Sequence, residues 1–526
     1  MSAEPAHRRR LALSTAIFAG ATGLSRVLGL VREIVARRYF GVEGAGINAF
    51  TAAFQVPNLM RSLAADYALA PAFVPVFSEL LEKGERARAW RVASTLFWLL
   101  LLGLGALTAL FMLAAPLVMR PFGFEGEQQE LAVTLSRILF PIVALLGISG
   151  LIVGILNSYE QFTIPALTPV FWNLAIIAGL VIGVPLTDDD TEALYVYAGS
   201  ILVGTVIQVL LPVPWLRGLD GRLRLALDWR DPMVKRVFVL MLPVTLGLGL
   251  INFNQVIGTV FASRLIDPTL APAAIDAAFR VYMLPQGIFS VAVATVLFPS
   301  MSRLAARADW DAFRGTVSLG VRQIAFLLVP ASAATAVLAE PIVRLLYERG
   351  EFGPSETEVV AAALAAFSLG LAFNGFMLIL NRAFFSLQQP WTPTAVALGN
   401  LALNTVLYAA FYRVGTWGIP LAISVANVAA SLALLWLLRR RLGRVDAGAI
   451  AASFARVTVA SALLAGVAFG VWRGLDELLG RSFWAQALSL ATALVAGAAA
   501  YLLAARALRV RELEALLALT RRRRAP

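Results

Sequence analysis

Arg8-Arg-Arg-Leu-Ala-Leu-Ser-Thr-Ala-Ile-Phe-Ala-Gly-Ala-Thr-Gly-Leu-Ser-Arg26-Val-Leu-Gly-Leu-Val-Arg32-Glu33 carries the first apolar run of the chain, with two arginines and a glutamate inside it. A basic triplet before the apolar stretch Leu11 to Leu24 imitates a secretory signal. The hydrophobic pattern, however, continues through Arg26 and Arg32 to Phe40, and no signal h-region carries such charges. A retained membrane span is therefore expected. Working outward, 59% of the 526 residues are hydrophobic and 14% are charged. A soluble chain of this size needs far more polar surface, so the apolar excess must face lipid. The net charge of +12 is the usual consequence of Lys and Arg gathering in cytoplasmic loops beside anionic lipid, and no nucleic-acid partner is expected. There is no cysteine, and the one histidine, His7, lies in the N-terminal tail. Disulfides, thiolate nucleophiles and His-based metal or catalytic sites are excluded.

A span needs about 20 mostly apolar residues. By that measure the sequence predicts an all-α polytopic membrane protein of about fourteen spans. They lie near 14–38, 46–76, 91–119, 131–157, 163–186, 194–216, 234–264, 273–302, 315–347, 357–386, 392–412, 417–438, 448–472 and 483–507. One set of loops is basic, including Lys83 to Arg91, Arg217 to Arg236, Arg303 to Arg314 and the Arg521 to Arg524 tail. The alternate set is acidic, with Glu125, Glu127, Asp188 to Asp190 and Glu348 to Glu358. The positive-inside rule then places both termini in the cytoplasm, which requires an even number of spans.

An internal repeat organises these spans. Asn157 and Asn381 both close an apolar run (381 − 157 = 224), and Pro169 and Pro393 follow at the same offset. Pro75-Val-Phe-Ser-Glu-Leu80 matches Pro299-Ser-Met-Ser-Arg-Leu304, again 224 apart, and Phe54 and Phe279 are 225 apart. The offset covers six spans, an even number, so both halves share one orientation in a parallel repeat related by a pseudo-two-fold axis along the membrane normal. The expected organisation is an N-lobe over 1–220, a C-lobe over 221–442, and two further spans with a basic tail over 443–526. Two six-helix lobes around a central cavity are transporter architecture.

An arginine at the centre of a span costs about 2.5–3.5 kcal/mol on insertion scales. Arg26 and Arg32 in span 1, Arg61 in span 2 and Arg280 in span 8 together ask for roughly 10 kcal/mol of compensation. Snorkelling and intramembrane ion pairs offer part of it. Glu33 and Asp66 stand ready to neutralise two of the four, and Asp276 lies one turn before Arg280. The remaining positive surplus calls for an anion. The planar guanidinium pairs phosphate oxygens two at a time, so several in one cavity suit a phosphate or pyrophosphate better than a lone carboxylate. Span 2 adds a polar stripe. Asn48, Gln55, Ser62 and Asp66, spaced 7, 7 and 4, fall on one helical face, flanked by Asn58 and Arg61. Such a stripe lines water or another lobe, or forms a helix–helix hydrogen-bonding seam. Pro57 interrupts the backbone ladder within it and is expected to bend the helix.

Ser25-Arg-Val-Leu-Gly-Leu-Val-Arg32-Glu33, followed by Asn48-Ala-Phe-Thr-Ala-Ala-Phe-Gln-Val-Pro-Asn-Leu-Met-Arg61, closely resembles the N-terminal signature of the MurJ/MviN family. Pro285 to Arg303 is similar to its span-8 signature, as is Glu340-Pro-Ile-Val-Arg-Leu-Leu-Tyr-Glu-Arg-Gly350, with Asn381-Arg-Ala-Phe-Phe-Ser386 beyond. The resemblance covers spans 1–12 in order. It implies a member of the MOP exporter superfamily that flips lipid II, the undecaprenyl-pyrophosphate-linked peptidoglycan precursor, across the bacterial inner membrane by alternating access. A monomeric transporter is implied, not an enzyme. The family's cavity arginines map onto Arg26, Arg32, Arg61 and Arg280, and its acids onto Glu33 and Asp66, where Asp66 replaces the usual Glu. The usual Asp early in span 2 is Asn48, which makes the cavity more positive. Some members bind sodium in the second lobe. The matching positions here are Asn252, Asn400, Asn404 and Ser424, without a carboxylate, so sodium is the one candidate cofactor. Spans 13 and 14 would form a groove for the isoprenoid tail, or else be plain lipid-facing helices. Drug export predicts acids and aromatics in the cavity in place of surplus arginine, whereas an exporter of another polyprenyl-linked glycan is compatible with the same electrostatics. A membrane enzyme acting on polyprenyl phosphates would need clustered acids with a metal, and Glu33 and Asp66 stand on separate spans.

Overall fold

The computed structural model describes residues 3–64, 69–443 and 447–514. Asp66 and the tail arginines Arg521 to Arg524 lie outside the described residues. Backbone polar groups in a bilayer must be satisfied within their own segment. Accordingly the chain is helical, and no strand occurs among the described residues. It divides into two compact units, Met1–Pro272 and Ala273–Pro526.

The first unit contains α1 (Ala3–Phe40), α2 (Ala45–Ala64), α3 (Leu69–Glu82), α4 (Arg86–Leu113), the short α5 (Ala115–Met119), α6 (Gly126–Leu139), α7 (Pro141–Ser158), α8 (Thr163–Ala178), α9 (Asp190–Leu210), the short α10 (Val213–Leu216) and α11 (Pro232–Phe261). α12 (Ala271–Ala306) begins at the boundary. The second unit continues with α13 (Trp310–Val337), α14 (Ala339–Tyr347), α15 (Pro354–Ser368), α16 (Leu371–Ser386), α17 (Trp391–Phe411), α18 (Gly418–Leu442), α19 (Ala447–Leu479) and α20 (Phe483–Ala507). The repeat is visible in these boundaries: α4 and α13 start 224 residues apart (310 − 86), as do α5 and α14 (339 − 115). Packing divides the chain at a different point from the repeat. α11 lies against α2 and α3 within the first unit, its Val234 and Val237 sharing a core with Phe73, Phe77, Trp90, Leu151 and Ile155.

Among the described residues ten helices are long and apolar enough to cross a membrane, or eleven if α15 and α16, bent by 42°, form one span. The described residues thus account for ten or eleven of the fourteen expected spans. The helices outside the count are α1, the pair α2 and α3, and α11. Several expected spans are also broken. The segment near 131–157 is two helices meeting at Pro141, and the segment near 315–347 is α13 followed by the separate α14. Pro57 sits inside α2 without ending it.

Two polar residues tie the helix breaks together. The Asn48 side chain is fully buried, and its Nδ2 donates to Val42 O and Gly44 O, both at 2.9 Å, and to Thr269 O. The amide thus pins the turn before α2 to the loop after α11. Asn48→Asp would set a carboxylate oxygen against these carbonyls, and buried acceptors without donors cost about 1–3 kcal/mol each. We expect Asn48→Asp to lower stability by about 3 kcal/mol, more than Asn48→Ala does, in thermal unfolding of the purified protein. In the second unit, Ser424 Oγ on α18 donates to Ala366 O at 2.7 Å and Phe367 O at 3.2 Å. These are carbonyls that the end of α15 leaves without intrahelical donors. Gly370 lets α18 come this close, because a Cβ there would lie 2.7 Å from Ser424 Cα.

The last two long helices are held to the second unit by specific bonds as well as by packing along α13. Arg344 on α14 pairs with Asp476 near the end of α19 at 2.6 Å, with side-chain exposures of 3% and 18%. Tyr501 of α20 donates to Phe326 O of α13 at 2.7 Å. Beyond α20, the buried Glu512 meets Arg322 of α13 at 3.2 Å and accepts from Ser453 of α19.

The connection from α10 to α11 crosses the start of α4 as an irregular strap, residues 217–231. Asp220 at its head accepts from Tyr159 Oη and from Trp90 Nε1 and pairs with Arg86 at 3.1 Å. The next residue must be glycine, since a Cβ on Gly221 would lie 2.1 Å from the Trp90 indole. The Tyr159 hydrogen bond holds the Asp220 carboxylate below its usual pKa, and burial, followed by the adjoining carboxylate, pushes Tyr159 up to about 12. A lowered acid contributes stability above its unfolded pKa and loses it as pH falls through the folded value. A raised tyrosine contributes below its unfolded pKa and loses it as pH rises through about 12. The head of the strap is therefore expected to stay docked across the physiological range, with the Trp90 environment, read by fluorescence against Trp90→Phe, changing only at the two extremes.

Candidate functional site

Ser25, Gly29 and Arg32 are spaced four and three, so they share one face of the unbroken α1. That face packs on α8. Asn173 of α8 donates to Pro169 O at 3.0 Å on its own helix and to Ser25 O at 3.2 Å on α1. Its Oδ1 is left to accept from Arg32 Nη1 at 3.2 Å. Arg32 also pairs with Glu33 at 2.8 Å and lies over the Trp172 ring, 4.8 Å from its centroid. A charge-assisted pair, an amide and an aromatic face thus fix a guanidinium that is 11% exposed. Glu33 is shared: Arg37, itself buried, stands 3.9 Å from its other oxygen and donates to Gly41 O. Arg26 lies six residues before Arg32, about 120° away around the helix, and is exposed. Glu33 is the one acid between Arg26 and Arg38, so this stretch of α1 keeps a positive surplus.

On α2, Arg61 Nη2 donates to Asn58 Oδ1 at 2.7 Å, and Asn58 Nδ2 donates to Asn252 Oδ1 of α11 at 3.3 Å. Gln55, on the expected stripe, is buried at 8% exposure. The stripe therefore meets protein along α11 at Asn58, and its upper end, Asn48, is committed to backbone carbonyls. Asp66 lies outside the described residues. In the second unit Arg280 pairs with Asp276 one turn back at 3.2 Å, the arginine side chain being 36% exposed.

The four residues matched to a sodium site do not behave as one set. Asn252 accepts from Asn58 within the first unit, and Ser424 spends its hydroxyl on the α15 carbonyls. Asn400 Oδ1 and both amide atoms of Asn404 are buried without a partner among the described residues. Two orphaned amides one turn apart offer oxygen ligands of the kind a hard cation takes. Among the described residues no group of three His, Cys, Asp or Glu is placed to hold a metal.

Arg37, Trp172 and Asn173 were not anticipated. Asn173 carries a sequence signal, a lone amide four residues after Pro169 in an otherwise apolar span. Trp172 carries none, because an aromatic in a span is ordinarily lipid-facing. An open depression of about 620 Å³ in the first unit lies away from all of these residues, among Arg120, Glu125, Gln129 and Arg264.

The model of the family described as "Lipid II flippase MurJ" matches residues 36–484. A relative from Burkholderia cenocepacia named "Lipid II flippase MurJ" is 33% identical over 436 residues, 80% of this chain and 82% of that protein. Among solved structures, "Lipid II flippase MurJ, inward closed conformation" superposes with a TM-score of 0.76 at 22% identity, covering 93% of this chain and 98% of that one. An inward-facing multidrug resistance MATE family transporter of the MOP superfamily gives 0.69 at 18% identity, over 82% and 98%. The fold is thus that of these transporters. With the family's model matched along most of its length, the chain belongs to the MurJ family of lipid II flippases.

Proposed function

We propose that this chain translocates lipid II, the undecaprenyl-pyrophosphate-linked peptidoglycan precursor, from the cytoplasmic to the periplasmic leaflet of a bacterial inner membrane. It acts as a monomeric transporter with both termini in the cytoplasm. Membership in the family carries this proposal, and the positive surplus on α1 supports a role for it. Arg32, held by Glu33, Asn173 and Trp172, is set in place before the substrate arrives, so little ordering entropy is lost when an anion binds. Arg26, exposed nearby on the same helix, adds an adaptable second charge, and Arg61 and Arg280 supply the others. Bound pyrophosphate would screen the mutual repulsion of Arg26, Arg32 and Arg61 and favour the occluded state. That differential affinity between states is what alternating access requires.

Native mass spectrometry of the purified protein with lipid II tests the site. Arg26→Gln and Arg61→Gln are each expected to weaken lipid II binding about tenfold, the worth of one charge-assisted contact. Unchanged binding in both, and in Arg280→Gln, would place the anion elsewhere. Complementation of a strain depleted of its lipid II flippase separates lipid II from another polyprenyl-linked glycan. We propose that the orphaned amides of Asn400 and Asn404 bind a sodium ion. Sodium chloride in place of choline chloride should then raise the melting temperature of the wild type and leave Asn404→Leu unmoved. An equal response in both would remove the site.

A further inference from the structure

Residues 221–228 of the strap have neither helix nor strand, yet they lie along a membrane-spanning helix. Arg224 N donates to Ser94 Oγ at 3.0 Å, Asp228 N donates to Thr95 Oγ1 at 3.2 Å, and Trp98 Nε1 donates to Arg224 O at 3.0 Å. Arg91 is the last charge of α4 before its uncharged run to Leu113. Ser94, Thr95 and Trp98 stand three to seven residues past it, about 5–10 Å along the axis at 1.5 Å per residue. That is the depth between phosphates and acyl chains. Irregular backbone survives there only when its polar groups are satisfied, and the two hydroxyls and the indole do so.

The inner side of the strap is packed, with Leu219 and Leu223 joining the core of α3, α4 and α7. Its outer side is not. Leu225, Leu227 and Trp229, at alternate positions, are 80%, 51% and 63% exposed. Arg222, Arg224 and Arg230 are exposed among them, and Arg230 lies over the Trp229 ring. The acids at the strap's two ends are spoken for, Asp220 by Arg86 and Asp231 by Arg88 at 3.2 Å. Within 221–230 three arginines face only Asp228, so the outward face is apolar and cationic together. A Trp and two Leu at headgroup depth, with arginines able to extend toward phosphate, match an anionic leaflet in both polarity and charge.

We propose that the strap is an interfacial anchor, inserting Leu225, Leu227 and Trp229 at the acyl boundary while Arg222, Arg224 and Arg230 bind the phosphates of anionic phospholipids. It thereby moors the first unit to the leaflet at this end of the bundle, independently of the transported substrate.

Because the chain has no cysteine, Leu227→Cys introduces a single thiol into the full-length protein. A nitroxide there, in nanodiscs of phosphatidylcholine with one part in three of phosphatidylglycerol, should collide more with oxygen than with a water-soluble nickel chelate. A nitroxide at Glu82→Cys, on the exposed end of α3, should show the reverse. Native mass spectrometry of protein released from the same nanodiscs should show phosphatidylglycerol enriched over its bulk share. The triple variant Arg222→Gln, Arg224→Gln, Arg230→Gln should bring that enrichment down to bulk. A label at 227 that matches the one at 82 overturns the proposal, as does enrichment that survives the triple variant. So does a label shielded from both reagents whatever the lipid, which would mean that protein, a second copy included, covers the strap.

Discussion

Arg344→Met alone is expected to destabilise the protein by about 3–5 kcal/mol, while the double variant Arg344→Met, Asp476→Leu comes close to wild type. Arg344 is 3% exposed, and its guanidinium meets Asp476 at 2.6 Å and sits 5.7 Å from the Trp472 ring centroid. Removing one partner strands the other charge in a low-dielectric site, and the lost hydration is not recovered. Removing both discards the desolvation cost with the attraction, so apolar replacements of similar volume are close to neutral. Thermal unfolding of the single and double variants in one detergent supplies the cycle. If Arg344→Met and the double variant fall equally, the pair is not what holds α19 to α14. In that case packing along α13 and α20 carries the attachment.

The second large effect concerns Arg32, and it separates stability from transport. Arg32→Gln removes a guanidinium that Glu33, Asn173 and Trp172 hold, but leaves Glu33 with Arg37 at 3.9 Å. The fold therefore keeps a counter-charge. We expect a melting temperature near wild type, lipid II binding weakened about 10- to 100-fold for one charge-assisted contact to phosphate, and failure to complement a flippase-depleted strain. Arg32→Lys keeps the charge but loses the two-pronged geometry and the flat stacking face, so intermediate complementation is expected. Glu33→Gln should do the opposite, lowering stability because Arg32 and Arg37 lose their common acid. Full flipping in both Arg32 variants would sink the role assigned to this residue.

The class of fold, the approximate spans and the repeat were legible in the sequence because each depends on properties that add along the chain. Apolar length sets a span, and a duplication leaves a constant offset that reappears in the boundaries of α4 and α13. The local ion pairs among the candidate site residues were legible for the same reason. Glu33 follows Arg32 directly, and Asp276 precedes Arg280 by one turn. The tertiary structure alone decided which distant groups answer those charges. Trp172 and Asn173 reach Arg32 only because α8 crosses α1 along the face of Ser25, Gly29 and Arg32. Asn48, set in a polar stripe by periodicity, spends its amide on three carbonyls, and carbonyls carry no signature in a sequence. Likewise Ser424 closes the end of α15, and the last two long helices, featureless as apolar runs, are fastened through Arg344 and Tyr501. Hydropathy is a sum over neighbours in the chain, whereas a hydrogen bond is a meeting of two groups in space. The sequence could therefore determine what this protein is made of and where it resides, while the partners of its buried charges were decided only when the helices packed.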